Sequence, residues 1–226
     1  MTTIYLLRHS MADKNIDFRN LKESFENVNR KFILSVEGEK KAYLYSQIKE
    51  LSNLNMVVSS NYTRSVATAK YMADRNKVKV IVDSSFDERK FGVDDKEKIP
   101  ADFFKKQFLN HDYKLKHGES FDEVRSRALR GLAKVMKCNL GKNALIVTHS
   151  STITFLLSKW CSVEYNGKYI IRYKNNTIIN GFTTPDLIEL KFNDKNKLES
   201  IRRVVVSNKE NSKNINKSKN RKKSKK

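Results

Sequence analysis

Four side chains that can bind or attack an anion stand at or near the ends of short apolar segments of this sequence. They are Arg8, His9, Arg64 and His149. A neutral imidazole can act as a nucleophile or exchange protons, and a guanidinium can hold a phosphate or carboxylate through two parallel hydrogen bonds. Charged groups are costly to bury unless they are paired, so these positions indicate a site that binds an anion.

The apolar segments before these residues have the length and composition of buried β-strands. The predicted strands are Ile4–Leu7, Met56–Ser59, Lys79–Val82 and Ala144–Val147. Since helical patterns separate them, the strands should form a mostly parallel sheet with helices on both faces. Right-handed crossovers bring the carboxyl ends of parallel strands to one edge, where open α/β sheets bind their ligands. Arg8-His9, Ser59-Ser60 and His149 should therefore meet at this edge.

The remaining patterns complete a three-layer α/β/α sandwich. Helices are predicted at about Phe18–Val28, from Val36 to about Leu51 after the N-cap Ser35, through Thr68, Ala69 and Met72, near Asp102–Phe108, from Phe121 to a stop at Gly141, and at Thr152–Trp160. Ser120 and Glu123 fit a capping box at the start of the fifth of these helices. One stripe of this helix is predicted to be apolar, namely Phe121, Val124, Ala128, Leu132 and Val135. Later strands are predicted at Tyr169–Tyr173, Asp186–Phe192 and Ile201–Val206. The predicted fold class is α/β, with a mostly parallel central sheet and an antiparallel edge strand.

The positive charge of this 226-residue chain is unevenly distributed. The whole sequence has a net charge of +21, and residues 207–226 carry +8 of it, from eight Lys and one Arg against one Glu. Apolar residues are too few there to pack, so we predict one folded domain over residues 1–206 and a disordered basic tail over residues 207–226. The tail is a solvated end, a tether that binds polyanions weakly, or an aid to binding an acidic partner.

Two features of the sequence predict a cytoplasmic protein without membrane spans. No apolar stretch has the length of a membrane-spanning helix, and the first apolar run, which Arg8 interrupts, lacks the pattern of a signal peptide. Cys138 and Cys161 lack the spacing of a disulfide framework or a zinc site, and such lone thiols are typical of a reducing compartment.

Imidazoles, guanidinium groups and a carboxylate at one edge of a sheet suit phosphoryl transfer. A neutral imidazole can attack phosphorus and hold the group as phosphohistidine. Arginines stabilise the charge on the transferring oxygens, and a carboxylic acid can protonate the leaving oxygen. No cluster of acidic residues indicates a metal site, so the sequence predicts neither a metal nor another cofactor.

Five short motifs carry a resemblance to a known family. They are Leu7-Arg8-His9-Ser10, Ser59 to Ala69, Asp87 to Gly92, Gly118-Glu119-Ser120 and Val147-Thr148-His149-Ser150. In order and spacing they resemble the motifs of the histidine phosphatase superfamily, the phosphoglycerate mutase-like proteins, over Thr2–Val206. The resemblance implies that residues 1–206 form a catalytic domain of this superfamily.

The resemblance also implies a role for each residue of the site. His9 stands where the family has its nucleophile, Glu88 where it has its general acid, and His149 where a second histidine binds and polarises the phosphoryl group. The phosphate-binding residues that it implies are Arg8, Arg64, Asn15 and Ser150. Asp87 and Asp94, which lie near Glu88 in a charged loop, are the alternatives for the general acid.

Departures from the family pattern favour a phosphatase over a mutase. The segment between Glu88 and Gly118 is shorter than in phosphoglycerate mutases and lacks their substrate-clamping arginine pair. The tryptophan and glycine motif of mutases is missing after Gly92. We therefore expect a phosphoric monoester hydrolase, histidine acid phosphatase-like, that acts on a small phosphorylated metabolite. A phosphoglycerate mutase-type isomerase is the second candidate.

A third candidate, an inactive relative that binds phosphate, is motivated by Ser10. This serine replaces the usual glycine, and its hydroxyl is either tolerated there or donates to phosphate. The identity of the substrate and the oligomeric state do not follow from the sequence, because specificity comes from loops that vary between relatives.

Overall fold

The computed structural model describes residues 1–13, 15 and 23–206 of the chain, which contain nine strands. They are β1 Thr2–Arg8, β2 Met56–Ser59, β3 Val80–Val82, β4 Asn143–Thr148, β5 Ser162–Tyr165, β6 Tyr169–Tyr173, β7 Asn176–Asn180, β8 Asp186–Phe192 and β9 Leu198–Val204. Six of these strands form one sheet in the order β3-β2-β4-β1-β8-β9, and β5, β6 and β7 form a second sheet.

The centre of the larger sheet is parallel, as the sequence predicts. β1 pairs in parallel with β4, and β2 pairs in parallel with both β4 and β3. β8 pairs in the antiparallel sense with β1 and with β9. The predicted antiparallel edge strand is therefore confirmed as β9, although β8 also departs from the parallel arrangement.

The register of the parallel strands aligns their polar carboxyl ends. Arg8 lies opposite Thr148 in the pairing of β1 with β4. The backbone N–H of His9 donates to the Thr148 carbonyl at 2.9 Å, and the N–H of Ser60 donates to the Val147 carbonyl at 3.0 Å. The chain segments that leave β1, β2 and β4 therefore start side by side.

Helices cover both faces of this sheet and give the predicted three layers. The helices of the described residues are α1 Phe25–Lys31, α2 Val36–Ser46, α3 Thr63–Asn76, α4 Phe103–Leu109, α5 Phe121–Cys138 and α6 Ser150–Leu157. Leu6 and Ile146 pack on one face with apolar residues of α5 and α6. Leu7 and Val147 pack on the other face with apolar residues of α3 and of the segment after α2.

The helix α5 is built as predicted. The Ser120 hydroxyl accepts from the Glu123 backbone N–H, and the Glu123 carboxylate accepts from the Ser120 backbone N–H, which is the predicted capping box. The whole predicted apolar stripe is buried, namely Phe121, Val124, Ala128, Leu132 and Val135. The opposite side of α5 is polar, and part of it faces the loop that follows β3.

Three helices, α1, α2 and α6, differ most from their predicted bounds. The helix α2 starts after its predicted N-cap Ser35 but ends at Ser46, whose hydroxyl donates to the Tyr43 carbonyl and competes with the helical backbone bonds. The helix α6 starts two residues before its predicted start, directly after the extended backbone of His149. The helix predicted near residues 18–28 is α1, and residues 18–22 of that prediction lie outside the described residues.

The second sheet contains one predicted strand and two strands that were not predicted. β6 has the predicted bounds, but it pairs with β5 and β7 and not with the central sheet. β5 and β7 are short, and most of their residues are partly or fully exposed, so neither produces the apolar run that identifies a buried strand. This sheet packs against α6 and α4 beside the central sheet.

The predicted basic tail, residues 207–226, lies outside the described residues. Within residues 1–13, 15 and 23–206, no helix is both long enough and apolar enough to cross a membrane. Cys138 is exposed and Cys161 is buried, and both are free thiols.

Candidate active site

His9 lies at the end of β1 with one ring nitrogen fixed by the backbone and the other facing Arg64. Its Nδ1–H donates to the Ser10 carbonyl at 2.7 Å, and because a carbonyl only accepts, Nδ1 carries the ring proton. Nε2 therefore keeps a lone pair, which accepts a hydrogen bond from Arg64 Nε at 3.0 Å. A nucleophilic imidazole needs such a lone pair, so His9 has the tautomer that attack requires.

His149 follows β4 and lies beside His9, with 5.1 Å between the ring centroids. Its ring is fully buried, and Nε2 is 2.8 Å from the Ser60 hydroxyl oxygen. Arg64 Nη2 is 3.4 Å from Nδ1, and because a guanidinium only donates, the ring proton lies on Nε2 and is donated to Ser60. The three strand ends thus converge as the sequence predicts.

Arg64 connects the two imidazoles from the first turn of α3. Its side chain is 5% exposed, and the edge formed by Nε and Nη2 faces His9 and His149. Nη1 donates to the backbone carbonyl of Asn29 in α1. The ring of Tyr62, the N-cap residue of α3, lies 4.8 Å from the guanidinium carbon. The guanidinium and the helix N-terminus both favour an anion at this point.

Arg8 ends β1 and extends to the turn that precedes β8. Its Nη1 donates to the carbonyls of Phe182 and Thr183 at 3.3 and 3.1 Å. Its Nε is buried and has no hydrogen-bond partner among the described residues. A buried donor without a partner costs stability, and the oxygen of a bound anion would satisfy it.

The pKa values of both histidines are held well below the usual 6.5. Burial is the main cause, because it disfavours the charged imidazolium, and the neighbouring Arg64 guanidinium lowers both pKa values further. Both rings are therefore neutral at neutral pH. The positive charge of the site comes from its arginines.

The loop after β3 presents two adjacent carboxylates with different surroundings. Asp87 Oδ1 accepts from the Asn61 backbone N–H at 2.7 Å, and Oδ2 is 3.1 Å from the Arg30 guanidinium. Glu88 Oε2 lies 3.9 Å from His149 Nδ1, and the Glu88 side chain is 14% exposed. Asp87 thus makes structural contacts through both carboxylate oxygens, whereas Glu88 faces His149.

Two predicted phosphate ligands lie at the margin of this arrangement. Asn15 is exposed, its backbone N–H donates to Asp13 Oδ1 at 2.9 Å, and no hydrogen bond joins its side chain to the described residues of the site. Ser150 is the first residue of α6, directly after His149, and is partly buried. The roles of Asn15 and Ser150 stay predictions.

The structure decides between the two interpretations of Ser10. This residue is fully buried, and its hydroxyl donates to the Gly38 carbonyl at 2.6 Å, so the hydroxyl is not free to bind phosphate. Its backbone N–H donates to the Thr68 hydroxyl at 3.0 Å. A Cβ at Gly38 would lie 2.0 Å from the Met11 carbonyl oxygen, so this glycine lets α2 approach the chain after His9 closely.

Two neighbours of the site, Tyr62 and Arg30, were not predicted to lie there. Ser60 was predicted to lie at the converging strand ends, but no role in the site was assigned to it. Arg30 comes from a polar segment without a periodic pattern, and its guanidinium carbon lies 5.1 Å from the Tyr62 ring centroid. Contacts of this kind depend on tertiary packing and leave no local signal in the sequence.

Comparison with known proteins places these observations in a family. The sequence matches the histidine phosphatase superfamily (branch 1) over residues 4–192. It is 24% identical over 182 residues to the probable phosphoglycerate mutase GpmB of Yersinia enterocolitica, covering 77% of this chain and 82% of that protein. It is 26% identical over 159 residues to the uncharacterized phosphatase PhoE of Bacillus subtilis, covering 70% of this chain and 77% of that protein.

A solved structure shows the same fold. The mycobacterial glucosyl-3-phosphoglycerate phosphatase in complex with VO3 superposes with a TM-score of 0.64 at 17% identity, covering 91% of this chain and 98% of that chain. The family match begins in β1 and ends in β8, so it includes both histidines, both arginines and Glu88. The chain therefore belongs to the histidine phosphatase superfamily.

Proposed function

We propose that this protein is a phosphomonoesterase that acts on a small phosphorylated metabolite through a phosphohistidine at His9. The observation that carries the proposal is the tautomer of the His9 ring and the contacts of its two nitrogens. The Nδ1 proton is held by the Ser10 carbonyl, and the Nε2 lone pair points to Arg64, which also reaches His149. A phosphoryl group placed between these side chains would meet the nucleophile and its charge-stabilising donors at the same time.

In the first step, Nε2 of His9 attacks phosphorus in line with the leaving oxygen. The N–P bond forms as the P–O bond to the alcohol breaks, and protonated Glu88 gives its proton to the leaving oxygen. Arg8 and Arg64 hold two of the other phosphoryl oxygens, and His149 holds the third through Nδ1–H, a tautomer in which the Ser60 hydroxyl donates to Nε2 while Arg64 leaves Nδ1 for the phosphoryl group. Arg64 exchanges its bond with His9 Nε2 for a bond with the phosphoryl group.

In the second step, water attacks the phosphohistidine from the side that the alcohol has left. Glu88 is now a carboxylate and accepts a proton from this water, the N–P bond breaks, and inorganic phosphate is released. The neutral His9 ring and the protonated Glu88 are restored together. This is histidine acid phosphatase-like chemistry, and it uses only side chains of this chain.

Two observations support hydrolysis over isomerisation. Between Glu88 and Gly118 the only arginine is Arg89, and its side chain is fully buried, so this segment offers no arginine pair to clamp a second substrate group. Two of the similar proteins are named as phosphatases, one of them acting on glucosyl-3-phosphoglycerate. The name of the GpmB relative keeps a mutase as the second candidate.

The free Cys138 and Cys161 support a cytoplasmic location.

The test is incubation of the purified protein with a panel of phosphorylated metabolites, including a phosphoglycerate labelled in its phosphate. We expect free phosphate, and a base-stable, acid-labile label on the wild-type protein that is absent from His9→Ala. His117→Ala, which removes an exposed histidine, is the matched control and should keep the label. Exchange between isomers without release of phosphate would identify a mutase. Neither label nor turnover with any ester would identify an inactive phosphate-binding relative.

A further inference from the structure

Arg127 lies in α5, away from the strand ends, and binds the loop that carries Glu88. Its Nη1 donates to the carbonyls of Ser85 and Asp87 at 3.0 and 2.9 Å, and its Nη2 donates to the carbonyl of Glu88 at 3.2 Å. The chain has no helix or strand from residue 87 to residue 95, so no backbone ladder fixes these carbonyls. The Arg127 guanidinium thus joins three main-chain carbonyls around Glu88, and the Thr152 hydroxyl donates to one of them, that of Asp87, at 2.8 Å.

Glu119 holds the Arg127 guanidinium in place. Arg127 Nε and Nη2 donate to the two carboxylate oxygens of Glu119 at 2.7 and 2.9 Å, which is a bidentate pair. The backbone of Lys90 donates to Glu119 Oε2 at 3.0 Å and accepts from the Glu119 N–H at 2.9 Å. Burial acts to raise the pKa of Glu119, but the Arg127 and Lys90 bonds outweigh it and hold this pKa below its usual range. The pair is therefore charged at neutral pH.

The close approach of α5 to this loop lets Arg127 reach three carbonyls at once. Gly131 lies one helical turn after Arg127, on the same face. A Cβ at Gly131 would lie 2.7 Å from Ser85 Cβ and 2.8 Å from Phe86 Cζ. The helix is thus in direct contact with the residues just before Glu88, and the contact depends on glycine at this position.

The carboxylate of Glu88 has little to fix it apart from its own main chain. Its Oε1 accepts from the Arg89 backbone N–H at 2.9 Å, and its Oε2 lies 3.9 Å from His149 Nδ1. The second distance is too long for a hydrogen bond, so the histidine does not hold the carboxylate. The main chain of residues 87–89 therefore determines the position of the Glu88 carboxylate.

We propose that Arg127, held by Glu119, is the positioning residue that sets Glu88 at the distance needed to protonate the leaving oxygen. This inference rests on the proposed function, because it assumes that Glu88 is the general acid. Arg127 touches neither the phosphoryl group nor the leaving group. Its loss should therefore weaken only the proton transfer and leave the attack by His9 intact.

The experiment compares two phosphate esters whose leaving oxygens differ in how much they need to be protonated. An alkyl ester such as glycerol phosphate needs protonation of its leaving oxygen, whereas nitrophenolate leaves without it. We expect Arg127→Met to lower kcat/KM for glycerol phosphate about 100-fold, since a misplacement of about 1 Å has that cost, and to lower the nitrophenyl phosphorylation step less than about fivefold. Arg127→Lys, which keeps the charge but loses the planar fork, should show the same selectivity with a smaller loss.

Controls separate positioning from general damage and from failure of the proposed function. Arg130→Met removes an exposed arginine of the same helix and should leave both esters unchanged. Equal losses on both esters in the Arg127 variants, or no loss on either, would overturn the positioning role. The amplitude of the nitrophenol burst gives the folded, active fraction, and the rates on both esters are divided by it, so partial unfolding cannot imitate the selectivity. If wild-type protein hydrolyses neither ester and His9→Ala changes nothing, the proposed function itself has failed.

Discussion

The two ends of the candidate site are held in different ways. At the phosphate end, His9, Arg64 and His149 stand at strand or helix ends and are 8%, 5% and 0% exposed. At the leaving-group end, Glu88 lies in a loop and is held by the side chain of Arg127. In the proposed mechanism, strand and helix ends therefore fix the residues that bind the phosphoryl group shared by all phosphomonoesters, while side-chain contacts fix the carboxylate that meets the leaving group. Loops and side chains vary more readily than strand register, so the leaving-group end can change between relatives without loss of the phosphate end.

The largest effect should follow from damage to the phosphate end. Arg64→Met removes the donors that face His9 and His149, so it should lower kcat/KM by about 10³- to 10⁵-fold, in the range of other arginines that stabilise a transferring phosphoryl group. The loss should be the same for alkyl and nitrophenyl esters, because both carry the same phosphoryl charge. Steady-state kinetics on the two esters measures it.

The matched control lies on the same helix. Arg75, in the last turn of α3, donates to Gln47 at the surface, and Arg75→Met should keep full activity. A loss in Arg64→Met that differs between the esters would show that the phosphate end also controls the leaving group, and the division between the two ends would be wrong.

A smaller and selective effect should follow from damage to the leaving-group end. Glu88→Gln cannot donate a proton, so it should slow phosphorylation by an alkyl ester about 10²- to 10⁴-fold. A nitrophenyl ester should still phosphorylate His9 at nearly the normal rate. Because the base for water is also lost, nitrophenol should appear in a burst followed by slow turnover, which stopped-flow absorbance can resolve.

The outcome distinguishes Glu88 from its neighbours. Glu97→Gln changes an exposed carboxylate of the same loop region and should leave both esters unaffected. Equal losses on both esters without a burst would remove Glu88 from the role of the acid. Asp87, whose oxygens are bonded to Asn61 and Arg30, would be the next residue to test.

The same division explains how much of this molecule follows from its sequence. The strand ends could be predicted because apolar runs and the polar residues that end them are local features, and parallel connection brings them to one edge. The predicted convergence of His9, Ser60 and His149 is present in the structure. The apolar stripe and the capping box of α5 were predicted for the same reason.

What could not be predicted depends on contacts between distant segments. In the sequence, Arg127 is one of several basic residues on the polar side of an amphipathic helix, and nothing marks it as the partner of Glu119 and the Glu88 loop. Ser10 replaces a glycine, and only the packing of α2 shows that the Ser10 hydroxyl donates a hydrogen bond to the Gly38 carbonyl. β5 and β7 were missed because their residues are largely exposed. The sequence shows which residues are unusual, but the partner of each one is a property of the fold.

The smallest expected effect is on the pH dependence of the free energy of unfolding, and it follows from the burial of His9 and His149 at the phosphate end. The pKa values of His9 and His149 are well below 6.5 in the folded protein, whereas in the unfolded chain both should take up protons near 6.5. The unfolded state then binds more protons than the folded state, so stability falls as the pH falls below 6.5. Each histidine should contribute a slope of up to about 1.4 kcal/mol per pH unit in the free energy of unfolding.

Urea titrations between pH 5 and 7 should therefore give His149→Asn a shallower slope than wild type, while His117→Asn, at an exposed position, keeps the wild-type slope. An unchanged slope in His149→Asn would mean that this ring is hydrated or already charged in the folded protein. In that case the phosphate end would not be the closed, dehydrated part of the site that its burial indicates.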